Sequence, residues 1–339
     1  MPVISVIMPA YNAEKYISES IDSILNQTFK DFEFIIVNNA STDSTVTIIN
    51  SYNDSRIRIV NNPFKGVSSS LNMGLNLAKG QFIARMDADD IAHVKRFERQ
   101  LQYFGKHADV DICGSWIQHF GAEKGVLKPP QKHERIKASM LFLNPMFHPA
   151  VMFKKESFQK YNLRYDEQCV NAEDYVLWAK AIDHLTFGNV PEVLLKYRIH
   201  EENASVLKAS NRTLLDGIHF EIYKRLLKHL NIDCSKQELQ MQRNLALKEV
   251  YGLRNKELDS YIDWIKMLVE KNKQTKYFQH TGFRDTIISY FLLIAKRTYP
   301  SLNSFKKIIK GFASLYSFQD YVFFVVNKGT EKIKRAEQF

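Results

Sequence analysis

The chain has 339 residues, of which 45% are hydrophobic and 12% aromatic, and its formal net charge at pH 7 is +10. This length and composition allow one sizeable core and a smaller second one, which excludes an intrinsically disordered protein. Neither a 20-residue apolar run nor a secretory signal is evident, and three widely spaced cysteines fit a reducing compartment, so we expect a cytoplasmic protein.

Short apolar runs alternate with helical patterns through the first 120 residues. Helices are indicated by apolar residues at three- and four-residue spacing, as at Ile17, Ile21 and Ile24. This alternation is typical of βαβ units and predicts an α/β fold with a mainly parallel central sheet flanked by helices. The predicted strands lie at 4–8, 34–37, 56–60, 81–86 and 110–117.

The pattern loosens between residues 125 and 200. A strand is predicted at 149–153, a helix begins at residue 173, and a strand-like segment follows at 193–200. Beyond residue 205 nearly all of the chain has helical periodicity. We therefore predict two domains, an α/β domain over residues 1–205 and a basic helical region over residues 206–339.

An acidic cluster follows the strand predicted at 81–86. Asp87, Asp89 and Asp90 come at its carboxyl end, which is where open α/β sheets bind their ligands. Carboxylates are hard oxygen ligands, so Asp87 and Asp89 are suited to hold Mg²⁺ or Mn²⁺ against a diphosphate. The pattern alone is weakly specific, because it also occurs in turns and in exposed acidic patches.

A second acidic pair begins the helix predicted from residue 173. The positive end of the helix dipole favours a charged carboxylate there, and Glu173 and Asp174 are candidates for a base that takes a proton from a hydroxyl group. The alternative is that the pair only caps the helix.

Four motifs, taken in order, resemble those of the family 2 glycosyltransferases, which have the GT-A fold. The resemblance covers about residues 1–205. It implies a nucleotide-sugar-binding GT-A domain and an inverting transferase that uses Mn²⁺ or Mg²⁺ and a UDP-sugar donor. The motifs are SVIMPAYN at 5–12, IVNNASTD at 36–43, MDADD at 86–90 and EDYVLW at 173–178.

The resemblance also implies roles for individual residues. Asp174 is the base, with Glu173 as the next candidate. Asp87, Ala88 and Asp89 serve the ribose, the metal and the diphosphate. Arg198 and His200 lie near the phosphates or the metal. The residues implied to lie against uridine are Pro9, Ala10, Tyr11, Asn12 and Asn39.

The second motif departs from the family pattern, which commonly reads DDGS where this chain has NNAS at 38–41. The amide oxygen of Asn39 can accept from uracil N3–H and its nitrogen can donate to O4, so UDP stays the expected nucleotide. The lost carboxylate charge leaves open a lower affinity or a different base. Ala40 at the glycine position predicts a turn that does not need a positive φ there.

Positive charge is concentrated in the C-terminal part. Lys and Arg outnumber Asp and Glu by 23 to 22 over residues 1–200 and by 24 to 15 over residues 201–339. Segments 286–297 and 305–312 join apolar faces to basic residues, which suits either an anionic membrane surface or a helical bundle, including one in a homo-oligomer. The resemblance favours the membrane, because acceptors for bacterial surface glycans are often lipid-linked.

The expected activity is transfer of Gal, Glc, GlcNAc or GalNAc to a glycan acceptor during synthesis of O-antigen, lipooligosaccharide or capsule. We expect the enzyme to lie at the inner face of the cell membrane. Teichoic acid or a protein-linked glycan is the alternative acceptor. The charge alone would also suit a nucleic-acid-binding protein, but no binding module is recognisable, so we expect no nucleic-acid partner.

Overall fold

The structure is a computed structural model that describes residues 1–169, 171–201, 203, 212–247, 249 and 255–298. Its strands are β1 (Ile4–Ala10), β2 (Phe32–Asn38), β3 (Ile57–Asn61), β4 (Phe82–Arg85), β5 (Ile91–Ala92), β6 (Ile112–Gly121), β7 (Gly125–Leu127), β8 (Met152–Lys154) and β9 (Phe187–Ile199).

Helices make up most of the remaining described structure. They are α1 (Ile17–Leu25), α2 (Thr45–Asn50), α3 (Val67–Leu77), α4 (Arg96–Lys106), α5 (His133–Ser139), α6 (Lys155–Lys160), α7 (Glu173–Ala181), α8 (Arg212–Lys228), α9 (Lys236–Ala246), α10 (Asn255–Thr275) and α11 (His280–Thr298).

The strands form one sheet in the order β3-β2-β1-β4-β8-β6-β9-β5, with β7 paired to β6. The first four strands in this order are parallel neighbours. Beyond them the pairing is mixed, because β8 is antiparallel to both β4 and β6 while β6 and β9 are parallel. The carboxyl ends of β1, β2, β3 and β4 therefore share one edge of the sheet.

Burial explains why the strands in the parallel half of the sheet could be predicted from the sequence. Every residue of β1 is buried except Pro9, and every residue of β2 except Glu33. Strands covered on both faces favour such continuous apolar runs. Ile17, Ile21 and Ile24 of α1 pack into the same core, as their spacing predicts.

The strand predicted at 149–153 is only partly correct. His148–Ala150 form a 3₁₀ turn, and β8 begins at Met152. Pro149 has no backbone N–H and a fixed φ, so it is unsuited to a donor position in a ladder between two other strands. The proline therefore occupies the turn that leads into the strand.

The chain divides into two compact units. One comprises residues 1–133 and 144–215, and the other comprises residues 134–143 and 216–339. Within the second unit, a Cβ added to Gly282 would come within 2.7 Å of the Glu134 backbone. The rings of Phe142 and Tyr290 also stack there, 3.9 Å apart. The predicted domain boundary at residue 205 assigned segment 134–143 to the α/β domain, whereas this segment packs with the C-terminal helices.

Helix α11 contains the predicted amphipathic segment 286–297, and part of this segment is buried in the second unit. Its residues Phe283, Ile287 and Ile288 are buried there, as the bundle alternative expects. The segment at 305–312 lies outside the described residues. Among the helices that the structure describes, none is both long enough and apolar enough to cross a membrane.

Candidate active site

The acidic cluster lies directly after β4, at the edge where the parallel strands end. Asp87, Asp89 and Asp90 each bring a carboxylate oxygen within 4.8 Å of the others. Asp87 and Asp89 are partly exposed, whereas Asp90 is fully buried. Oxygen ligands at this separation suit a divalent cation such as Mg²⁺ or Mn²⁺. The cluster contains both predicted carboxylate ligands and adds Asp90, which had no predicted role.

Electrostatics within the cluster also favour a cation. Burial, followed by repulsion from Asp89 and Asp87, raises the pKa of the Asp90 carboxyl well above its ordinary value. Burial and the charge of Asp87 raise the pKa of Asp89, and the contact with His200 offsets this only in part. A divalent cation would relieve the repulsion among these carboxylates, so the donor set fits the predicted metal.

Two buried arginines support the backbone behind the cluster. Arg85, the last residue of β4, forms an ion pair with Asp87. Arg96, the first residue of α4, donates from Nη2 to the carbonyl oxygens of Arg85 at 2.8 Å and Val151 at 3.2 Å. These contacts fix the segment that carries the first carboxylate of the cluster.

Two side chains from the chain that follows β9 bond to Asp89. His200 Nε2 lies 2.9 Å from Asp89 Oδ2, and Asn203 Nδ2 donates to the same oxygen at 3.1 Å. The imidazole also contacts the Tyr16 ring, with the ring centres 4.8 Å apart. The structure therefore brings the predicted metal ligands Asp87, Asp89 and His200 to one place, although they come from distant parts of the chain.

Arg198 is tied to the acidic cluster by main-chain and side-chain contacts. Its backbone N–H donates to Asp90 Oδ1 at 2.9 Å, and its Nε donates to the Asp89 carbonyl oxygen at 2.8 Å. The guanidinium lies 4.5 Å from the centre of the Tyr16 ring and forms an ion pair with Glu19. Arg198 thus lies beside the expected phosphate position with two guanidinium nitrogens already bonded, and its contact with phosphate stays a prediction.

The loops after β1 and β2 are joined by hydrogen bonds. Asn39 N–H donates to the Ala10 carbonyl oxygen at 2.8 Å, and Asn12 Oδ1 accepts from the Thr42 N–H at 2.9 Å. Tyr11 lies between these bonded residues and is exposed. The two segments predicted to contact uridine therefore share the carboxyl edge of the sheet.

The prediction for the turn at Ala40 is wrong. Ala40 has a φ of 61°, in the left-handed region. The turn is stabilised by Asn38, whose Oδ1 accepts from the Ser41 N–H at 3.1 Å. This side-chain hydrogen bond favours the turn at a position where glycine would adopt the backbone more freely.

The amide of Asn39 differs from expectation as well. Its oxygen, which we expected to accept from uracil, accepts from the Gly66 N–H at 2.9 Å. The side chain is largely buried at this position. A contact with uracil through both amide atoms is therefore not available in this arrangement.

Asp174 lies in the first turn of α7, as predicted. Its Oδ2 accepts from Asn144 Nδ2 at 2.8 Å, and its Oδ1 accepts from the Tyr175 N–H at 2.7 Å. Asp174 is partly exposed, whereas Glu173 is buried. A base that acts on a bound substrate must be accessible, so the geometry favours Asp174 of the two.

Tyr165 is a buried residue whose hydroxyl is affected by the charges of both acidic groups. This buried residue has its hydroxyl 2.8 Å from His148 Nε2. Burial raises the pKa of Tyr165, and the negative charges of Asp174 and Asp87 act in the same direction. The charges of the candidate base and of one candidate metal ligand thus act on the same buried tyrosine.

Several residues that contact the predicted site had no predicted role. Arg85 carried a signal, because a charged residue at the end of a buried strand needs a partner. Asn144 and Asn203 carried no such signal. Asn144 bonds to an aspartate 30 positions away, and Asn203 bonds to one 114 positions away. Such pairs become visible only once the chain is folded.

Comparison with known proteins shows which class of enzyme the chain belongs to. The family model described as "Glycosyl transferase family 2" matches residues 5–163. An uncharacterized glycosyltransferase of Haemophilus influenzae is 32% identical over 287 residues, which cover 80% of this chain and 87% of the relative. The O-antigen biosynthesis glycosyltransferase WbnJ of Escherichia coli is 33% identical over 213 residues, covering 60% and 82%. The protein is a glycosyltransferase. It belongs to family 2.

A solved structure agrees with this class at the level of the fold. TarS 1-349 of S. aureus in complex with UDP-GlcNAc has a TM-score of 0.56 and 17% identity, covering 93% of this chain and 92% of that chain. At this identity the likeness concerns the fold alone. The predicted GT-A fold is confirmed.

Proposed function

We propose that the enzyme transfers a hexose from a UDP-sugar to a hydroxyl group of a glycan acceptor, with inversion at the anomeric carbon. The observation that carries the proposal is the acidic cluster, which lies at the carboxyl edge of the sheet with His200 on Asp89. The O-antigen role named for WbnJ supports an acceptor in surface polysaccharide synthesis. UDP-GlcNAc, the ligand in the TarS complex, supports a uridine nucleotide.

The donor side of the proposed site runs along the carboxyl edge of the parallel strands. The nucleoside lies against Tyr11 and Asn39, and the diphosphate lies beside Asp87 and Asp89. Asp87, Asp89 and His200 would hold Mn²⁺ or Mg²⁺, which when bound would supply positive charge to the departing diphosphate. The ion pair with Arg85 and the hydrogen bond from Asn203 hold the two aspartates in position.

The acceptor side of the proposed site is the first turn of α7. The acceptor oxygen forms a bond to the anomeric carbon while the bond from that carbon to the diphosphate oxygen breaks on the opposite face. The hydroxyl proton passes to Asp174. Asn144 orients the carboxylate by donating a hydrogen bond to its Oδ2. A single displacement of this kind inverts the anomeric centre.

A donor screen tests the proposal. Purified enzyme is incubated with UDP-Gal, UDP-Glc, UDP-GlcNAc or UDP-GalNAc, and UDP release is measured with Mn²⁺ and with EDTA. We expect Mn²⁺-dependent release from at least one donor and loss of release in Asp89→Ala. Asp31→Ala is the matched control, because Asp31 is exposed and precedes β2, at the opposite edge of the sheet. Release from GDP- or CDP-sugars alone would contradict the uridine assignment.

A further inference from the structure

Four asparagines at the ends of β2 and β3 form a hydrogen-bonded group that we call the asparagine cluster. Asn38 Nδ2 donates to Asn61 Oδ1 at 2.9 Å, and Asn62 Nδ2 lies 3.5 Å from Asn39 Oδ1. Asn38 and Asn61 end β2 and β3, and Asn39 and Asn62 follow them, at the sheet edge that forms the proposed donor site. Asn39 is the member of the cluster that is predicted to contact the nucleotide base, so the orientation of its amide decides which atoms the site offers there.

The orientation of the Asn39 amide is fixed by Gly66. Oxygen and nitrogen of an amide have nearly the same shape, so their positions must be assigned from their partners. The Gly66 N–H points at Asn39 from 2.9 Å, and a backbone N–H can only donate. The facing atom is therefore the oxygen, since a flipped amide would set two donors against each other.

The longer contact with Asn62 is consistent with this orientation of the Asn39 amide. Its own amide is oriented by the Phe64 N–H, which donates to Asn62 Oδ1 at 3.0 Å, and its Nδ2 donates to Ser70 Oγ at 2.9 Å. The Asn62 atom that faces Asn39 is thus also a donor. Asn62 Nδ2 has closer acceptors in the Phe64 carbonyl oxygen, Ser69 Oγ and Ser70 Oγ, so the Gly66 N–H is the contact that requires the Asn39 oxygen to point toward the protein.

Gly66 is itself held in place. Its φ is 150°, a conformation that favours glycine, and it directly precedes α3. Its carbonyl oxygen accepts from the Ser70 N–H at 3.1 Å in the first turn of that helix. Because the start of α3 fixes the Gly66 backbone, the N–H that orients Asn39 does not depend on a flexible side chain.

The nitrogen of Asn39 is left for a ligand. Among the residues that the structure describes, no acceptor pairs with Asn39 Nδ2, and this atom is not one of the fully buried unpaired polar atoms. It therefore reaches the surface at the carboxyl edge of the sheet as a hydrogen-bond donor. The oxygen is already engaged on the protein side.

We infer that Asn39 recognises a carbonyl oxygen of the base and does not recognise the ring N–H. The inference rests on the proposed function, because it requires the nucleoside to lie against Asn39. The matching ligands are nucleoside diphosphates whose base presents a carbonyl acceptor at this edge, as uracil does with O2 and O4. Uracil N3–H is a donor and finds no acceptor on Asn39.

Asn39→Asp inverts this polarity with little change in shape. One carboxylate oxygen continues to accept from the Gly66 N–H, and the other replaces the amide nitrogen and becomes an acceptor. The variant should therefore recognise uracil N3–H, which the wild-type enzyme ignores. Asn61→Asp is the matched control, because it adds the same charge to the asparagine cluster and keeps the oxygen that accepts from Asn38.

Calorimetric titration with UDP and with N3-methyl-UDP, both in the presence of Mn²⁺, tests the inference. We expect the wild-type enzyme and Asn61→Asp to bind the two nucleotides within about threefold of each other. Asn39→Asp should bind N3-methyl-UDP at least about tenfold more weakly than UDP, because the methyl group removes a hydrogen bond to a charged acceptor.

Two outcomes would overturn the inference while the donor assignment stands. One is a tenfold or greater loss of N3-methyl-UDP binding by the wild-type enzyme, and the other is an Asn39→Asp variant that discriminates no more than Asn61→Asp. A wild-type enzyme that binds neither nucleotide would instead overturn the proposed UDP site itself, and the inference with it.

Discussion

Asn144 Nδ2 donates a hydrogen bond of 2.8 Å to Oδ2 of Asp174, the carboxylate at the start of α7. The bond fixes the rotation of the carboxylate about its side-chain axis. Asp174→Asn should therefore keep UDP affinity but lower the transfer rate by about 10²–10⁴, because an amide cannot take the hydroxyl proton. Initial rates with a soluble acceptor and calorimetry with UDP and Mn²⁺ measure the two effects separately.

Glu173→Gln is the matched control for this prediction. Glu173 is the neighbouring carboxylate and is buried. The Glu173→Gln variant should therefore keep a transfer rate within a few-fold of the wild type. A larger loss of transfer rate in Glu173→Gln than in Asp174→Asn would indicate that Glu173 is the catalytic base.

Asn144 itself should act as a positioning residue. Asn144→Ala removes a hydrogen bond to a charged group, and such bonds contribute about 1.5–3 kcal/mol, so we expect kcat to fall by roughly 10- to 100-fold. The KM for the donor should change little, since Asn144 contacts Asp174, the proposed catalytic base, and not the donor-side aspartates. A rise in donor KM with unchanged kcat would mean that Asn144 serves the nucleotide side.

Asp87 and Asp89, the two partly exposed aspartates of the acidic cluster, should differ in their effects on activity and stability. Asp89→Ala should abolish metal-dependent turnover and weaken UDP binding, with Asp87→Ala less severe. Asp87→Ala also leaves Arg85 buried without its ion-pair partner, so it should lower the free energy of unfolding by about 1–3 kcal/mol. Denaturant unfolding curves measure this loss, and Asp87→Ala with wild-type stability would contradict the role of the Arg85 pair.

Local sequence patterns were enough to predict the parallel half of the sheet and the position of the candidate site. The apolar runs of β1 and β2 and the acidic residues after β4 are short-range signals. The mixed half was less accessible, because the order β4-β8-β6-β9 depends on pairings between distant segments. Likewise, nothing near residues 134–143 indicates that they pack with helices that begin after residue 216.

The chemistry of single site residues depended on the fold in the same way. The family resemblance predicts that Asn39 contacts the nucleotide base, yet the direction of its amide is set by Gly66, 27 positions later. Arg198 was expected to lie near the phosphates or the metal, and its guanidinium already bonds to the Asp89 carbonyl oxygen and to Glu19, so its contact with phosphate stays a prediction. Residue type defines what a side chain can do, whereas its neighbours decide which of those contacts remain free.

Residues after Thr298 should attach the enzyme to an anionic membrane. They contain seven Lys and Arg against three Asp and Glu, and include the apolar residues Phe305, Ile308 and Phe312. Each basic side chain near an anionic surface contributes about 1 kcal/mol and is screened by salt. Full-length protein should therefore co-sediment with phosphatidylglycerol vesicles at low salt, and binding should weaken as salt is raised. Neutral phosphatidylcholine vesicles serve as the lipid control.

The structure determines where a truncated control should end. A cut near Thr281 would remove Ile287 and Tyr290, which are buried in the second unit, and would damage its folding. A chain that ends at Thr298 keeps α11, so it should lose vesicle binding but keep transfer to a soluble acceptor, because every proposed catalytic residue precedes position 205. Equal vesicle binding by the truncated and full-length proteins would show that the residues after Thr298 are not the attachment site.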